Sequence, residues 1–172
     1  ESSVKLLVTS ITTDMPVDEA KRILEVLDSV EYYDTVSKEL KNVYNHYSPE
    51  IRKEILNVFA RIMPMDSKEI LIEALDDIDI SVKKIAIELA GKTECRGTVP
   101  KLLQCIVPEY LFTKIKISDT IQEEACIALG KIKDVSAING LTEAARGGSV
   151  IKLKKEKSMS IRVAALYALA NF

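Results

Sequence analysis

The feature that most constrains this chain is a recurrence of apolar anchors. Ala20, Ile51 and Val82 lie 31 residues apart, and Ile121 and Ile161 follow at steps of 39 and 40. From Val82 the ten-residue design Val82–Gly91 returns as Ile121–Gly130 and as Ile161–Ala170. Each copy opens on a β-branched residue, places Ala four residues on, and puts Leu or Ala at the seventh and eighth steps. The ninth step is Gly or Ala. Apolar side chains at i, i+4, i+7 and i+8 form one face of a helix. A second series marks the helix before each copy: Thr9, Leu40, Leu71 and Leu102 at steps of 31, then Leu141 at 39. Two series that share a period and stretch at the same late point specify repeats of a helical hairpin.

The expected fold is therefore all-α, one domain over 1–172 made of five hairpins at about 1–31, 32–63, 64–93, 94–133 and 134–172. Pro16 and Pro49 suit first helical turns, where a missing N–H costs nothing, and Ser48 reads as an N-cap. Asp66 with Glu69, and Asp119 with Gln122, have capping-box spacing. Gly91 falls where a left-handed C-terminal residue is expected, and a helix end is expected at Gly130. Within the first three hairpins the two anchors are 11 residues apart; in the last two they are 19 and 20 apart. The extra length falls inside the turns, as insertions at 108–118 and 147–158. Both alternate apolar and polar residues and are rich in β-branched types, so they are expected to be extended and to pair as a short ribbon.

At 172 residues, 47% hydrophobic and 29% charged, the chain has the composition of a protein with a sizeable core. No apolar run approaches the roughly 18–20 residues of a bilayer span. The chain opens at Glu1 rather than Met, which suggests a fragment or a processed product. Cys95, Cys105 and Cys126 are an odd set without paired spacing. They read as buried free thiols and favour a reducing, cytoplasmic setting. The net charge of −2 conceals a gradient: residues 1–50 carry 5 Lys+Arg against 10 Asp+Glu, and residues 101–172 carry 11 against 7.

These copies resemble HEAT repeats, in particular the short PBS-lyase HEAT-like type. The resemblance rests on Asp79, Val82-Lys83, Ala86, Leu89 and Gly91. It continues with Asp119, Ile121, Ala125 and Ala128-Leu129-Gly130, then Ile161-Arg162, Ala165 and Ala168-Leu169. It implies an armadillo-type α-solenoid, a right-handed α–α superhelix in which small Ala residues let adjacent helices approach. It also implies a scaffold that binds another protein along a concave face lined by second helices. Candidate partner-binding residues there are Lys21, Arg52, Lys53, Lys83, Lys84, Glu88, Glu123 and Arg162. The basic position after each anchor (Lys21, Arg52, Lys83, Arg162, with Gln122 as the exception) has an internal role in such arrays, pairing with turn groups. Apolar residues of the insertions, among them Tyr110, Phe112, Ile115, Ile151 and Leu153, either cover helix ends or present a second binding edge.

Chemistry is sparse. The single histidine, His46, cannot supply the several His-Glu pairs of a metal-dependent hydroxylase, and it is the only candidate imidazole base for a nucleophile. No catalytic, cofactor or metal site is expected. Nucleic-acid binding needs clustered cations, and only Lys152, Lys154, Lys155 and Lys157 cluster. A nucleic-acid-associated array using the basic C-terminal half is the alternative reading, and a phycobilin-lyase-like subunit is the third. The run Ala168-Leu169-Ala170-Asn171-Phe172 ends apolar, so further chain or self-association is expected to cover the last helix.

Overall fold

A computed structural model describes residues 2–30, 32–62, 68–106, 117–147 and 157–172. The described residues form ten α-helices and no strand. They are α1 (Ser2–Ser10), α2 (Val17–Asp28), α3 (Tyr33–Val43), α4 (Pro49–Ile62), α5 (Lys68–Ala74) and α6 (Ile80–Lys92). The remainder are α7 (Val99–Ile106), α8 (Asp119–Ile132), α9 (Ile138–Arg146) and α10 (Met159–Leu169). Three short 3₁₀ turns, Tyr44–His46, Arg96–Thr98 and Val135–Ala137, follow α3 or lead into α7 and α9. None of the described helices is long and apolar enough to cross a membrane. Residues 108–116 and 148–156, which hold most of the predicted insertion ribbon, and the Asp66 half of one capping box lie outside the described residues.

The chain forms two compact units, Glu1–Ile85 and Ala86–Phe172. In the first, α1 packs on α3 and α2 on α4, while α1 also meets α2 and α3 meets α4. In the second, α7 packs on α9 and α8 on α10, while α7 meets α8 and α9 meets α10. Each unit therefore has first helices against first helices and second helices against second helices. The anchors explain why: Ala20, Ile51, Val82, Ile121 and Ile161 are all buried, as are Leu40, Leu71, Leu102 and Leu141.

One predicted anchor is displaced. Thr9 is exposed, its hydroxyl donating to the carbonyls of Lys5 and Leu6 at 2.9 and 3.1 Å. Val8 is the buried residue, beneath Tyr47, whose hydroxyl reaches the Val8 carbonyl at 3.4 Å and that of Ile11 at 3.3 Å. A hydroxyl satisfied by its own helix loses nothing at the surface, whereas the valine does.

The glycine expectations also change. Gly91 is helical, and the left-handed residue is Glu94 (φ 51°), with Cys95 N–H donating to the Ala90 carbonyl at 2.9 Å. Helix α8 likewise runs past Gly130 to Ile132 and turns at left-handed Lys133 (φ 54°). Close approach explains both glycines. A Cβ on Gly91 would lie 2.9 Å from the Ala128 Cα, and one on Gly130 would lie 2.7 Å from the Ala168 Cα. Such distances leave no room for any side chain, so α6 meets α8, and α8 meets α10, nearly backbone to backbone.

Candidate functional site

The residue after each anchor was singled out by the sequence, and the structure gives it internal work. Arg52 donates from Nε and Nη2 to the two carboxylate oxygens of Asp77, each at 2.8 Å, and from Nη1 to the Tyr47 carbonyl at 2.6 Å. The pair is nearly closed to solvent, with side chains 11% and 6% exposed. Burial works against the guanidinium charge, but the hydrogen bonds and charge of Asp77 outweigh it and hold Arg52 more firmly protonated. Tyr44 is buried beside this pair. Burial, reinforced by the Asp77 charge, pushes its phenol far above the usual range.

Gln122 repeats the bond to the turn, donating from Nε2 to the Ile117 carbonyl at 3.0 Å, five residues back as in Arg52. Its Oε1 accepts from Lys157 Nζ. The capping box expected of Gln122 is therefore absent, and Ser118 caps α8 instead, its Oγ accepting from the Ile121 N–H. Arg162 donates from Nε to the Ala145 carbonyl at 3.2 Å and lies across left-handed Gly147, while the Lys157 N–H closes onto the Gly147 carbonyl. Lys21 pairs with Glu54 at 3.2 Å. At Lys21, Arg52, Gln122 and Arg162 this position thus bonds to a turn or to the next second helix.

The acidic run Asp76, Asp77 and Asp79 belongs to the same construction. Asp77 Oδ1 accepts from the Asp79 N–H at 2.8 Å, and Asp79 Oδ1 accepts from the N–H groups of Ser81 and Val82 at the start of α6. Those bonds, led by the Ser81 hydroxyl, hold Asp79 below the usual carboxylate range. All three cysteines are free and buried. Burial pushes the Cys126 thiol up to about 12, against a smaller opposing effect of Lys157, so it stays protonated and inert at neutral pH. Among the described residues no cluster of His, Cys, Asp or Glu has the grouping of a metal site. An open depression of about 390 Å³ lies between α1 and α3, but its Lys5 and Lys38 are balanced by Asp34 and Glu39.

What remains outward is a set of stripes on the second helices. Along α8 the stripe runs Glu123, Ile127, Lys131; along α10 it runs Val163, Tyr167, Asn171; and α6 contributes Glu88 and Lys92 in register. Residues four apart on one helix are neighbours. The glycine contacts set α6 beside α8 and α8 beside α10, so equivalent positions stand side by side. Tyr167 is 74% exposed, Ile127 44% and Val163 39%. Of the sequence candidates, Glu88 is exposed on this surface and Glu123 lies on it half-buried. Lys53, Lys83 and Lys84 are half-buried on α4 and α6, and Tyr110, Phe112, Ile115, Ile151 and Leu153 lie outside the described residues. Sequence reading overlooked Ile127, Val163, Tyr167, Lys92 and Lys131. Comparing the aligned copies at the second, sixth and tenth steps after each anchor would have found them. The chain matches no protein-family model, and no curated protein matches it.

Proposed function

We propose that this chain is a non-catalytic HEAT-like interaction module, a right-handed superhelix of five hairpins that binds another protein along its second helices. The observation that supports this most is the division of labour on those helices. One face is filled by recurring buried anchors, the position after the anchor is spent on internal hydrogen bonds at Arg52, Gln122 and Arg162, and the opposite stripe carries exposed residues. A face that carries large apolar side chains at the surface on adjacent helices is the kind of area proteins use to meet one another. Three buried free thiols suit a reducing, cytoplasmic setting.

The test is site-directed photocrosslinking in the source cell. A crosslinking side chain at Glu88 or Tyr167 is expected to trap a discrete protein partner, whereas one at Asn139 or Glu143, exposed on the first helix α9, is not. Equal trapping from both sets, or trapping only from α9, would overturn the reading.

A further inference from the structure

Second helices in the latter part of the chain join through one recurring position. Counting from the buried anchor, the ninth step of α6 (Gly91) meets Ala128 of α8, and the ninth step of α8 (Gly130) meets Ala168 of α10. The fifth step lies one turn earlier on the same face. In α4, α6 and α8 that step is Leu56, Ile87 and Cys126, each 0% exposed. In α10 the fifth and ninth steps are Leu166 and Ala170, and both are exposed, Leu166 to 57%. The eleventh step reverses in the same way, from buried Ile132 after α8's anchor to exposed Phe172 after α10's. Charge separates the two helices as well. Helix α8 carries Asp119, Glu123, Glu124 and Lys131, whereas the one charged residue from Met159 to Phe172 is Arg162, half-buried and bonded to the Ala145 carbonyl. A helix that is apolar all round belongs in an interior.

We infer that the face of α10 bearing Leu166, Ala170 and Phe172 is the interface of a homodimer, covered by α10 of a second copy of this chain. The face continues, in register, the contact that joins α6 to α8 and α8 to α10, so a helix packed through small and apolar residues suits it. Helix α10 is such a helix, and setting it against its own copy takes no charged side chain of α10 out of water except the half-buried Arg162. A head-to-tail arrangement would bring α10 against the first hairpin instead. There α2 exposes Asp18, Glu19, Arg22 and Glu25, whose desolvation an apolar partner cannot offset. The pairing is therefore two-fold, and Leu166, near the middle of the run 159–172, lies close to the axis and meets its own counterpart. The dimer face is separate from the outward stripe of Glu88, Ile127 and Tyr167, and goes beyond the interaction-module reading.

Sedimentation equilibrium of the chain tests this. The mass should rise with concentration from 19.1 kDa to twice that value and no further. Leu166→Glu and Leu166→Lys should each weaken dimerisation by at least about tenfold. Leu6→Glu, on a residue of α1 that is also exposed, should leave it unchanged. An equimolar mixture of the Leu166→Glu and Leu166→Lys chains should dimerise again, which also shows that both variants are folded. A mass of 19.1 kDa at every concentration up to about 1 mM overturns the inference. So does a dimer indifferent to both Leu166 substitutions, or a mixture that stays monomeric while each variant keeps the parent's helical circular dichroism. A mass that climbs past the dimer indicates head-to-tail stacking and overturns it too. If the chain is monomeric and a crosslinking side chain at Leu166 traps a different protein in the source cell, that protein is the occupant and the dimer falls. None of these outcomes decides the crosslinks expected at Glu88, so the two readings fail separately.

Discussion

The two compact units pack their helices through different contacts. In Glu1–Ile85 charge laces neighbouring elements: Lys21 to Glu54, Arg61 to Asp28, Lys41 to Glu69 and the two hydrogen bonds of Arg52 to Asp77. Bulky side chains fill the space between them, including Tyr44, Ile55, Leu56 and Phe59. In Ala86–Phe172 the second helices meet through small residues: Gly91 on Ala128 and Gly130 on Ala168. Large residues hold helices apart and leave room for side chains to reach across, whereas glycine and alanine bring backbones together and gain dispersion contacts directly. It is in this second unit that Lys92, Lys131, Ile127 and Tyr167 stand exposed.

This contrast can be broken most sharply at Asp77. Removing it by Asp77→Ala leaves Arg52 nearly buried with half its partners gone, and should cost about 2–3 kcal/mol in urea unfolding. Asp77→Ala at no measurable cost would mean that the first unit does not rely on its charges.

In the second unit the corresponding break is Gly130→Ala. Alanine is the better helix former by about 1 kcal/mol, but its Cβ has no space against Ala168, so a net loss of about 1–2 kcal/mol is expected. Adding Ala168→Gly should return part of that loss, a coupling that a double-mutant cycle reads directly. A stabilised Gly130→Ala would show that the helices are not in backbone contact.

Two smaller effects refine the comparison. Asp79→Ala, which uncaps α6, should cost about 1 kcal/mol by thermal or urea unfolding. Since Asp79 is held below the usual carboxylate range when folded, its contribution is present at neutral pH and lost as the pH falls through that lowered value. Cys126 acts at the other end of the scale. Its folded thiol keeps a proton that the unfolded chain gives up near pH 9, so its share of stability is complete below 9 and drains away as the pH climbs toward about 12. The slope is at most about 1.4 kcal/mol per pH unit. Unfolding followed above pH 9 should therefore be less pH-dependent in Cys126→Ala than in the parent.

The sequence disclosed the buried anchors because burial is periodic: Ala20, Ile51, Val82, Ile121 and Ile161, set at steps of 31, 39 or 40, are all buried. It failed where one residue type serves two purposes. Glycine ends helices and also lets them touch, and only coordinates distinguish the two at Gly91 and Gly130. Threonine is tolerated inside or outside a helix, so Thr9 fitted the period while Val8 did the packing. Gln122 has capping-box spacing, yet its amide is drawn to the turn carbonyl by the same geometry that draws Arg52. The outer surface was the least legible part. Ile127 and Tyr167 look like core residues in a linear reading, and their exposure follows from which way each helix is turned.

The most direct measurement of the central contrast is amide hydrogen exchange, residue by residue, at low salt and at about 1 M NaCl, where exposed ion pairs are largely screened. If charge holds the helices of the first unit together and close small-residue contact holds those of the second, protection in α2 and α4 should drop on adding salt while that in α8 and α10 stays the same or rises. A fall in α8 and α10 as large as in α2 and α4 would contradict the account.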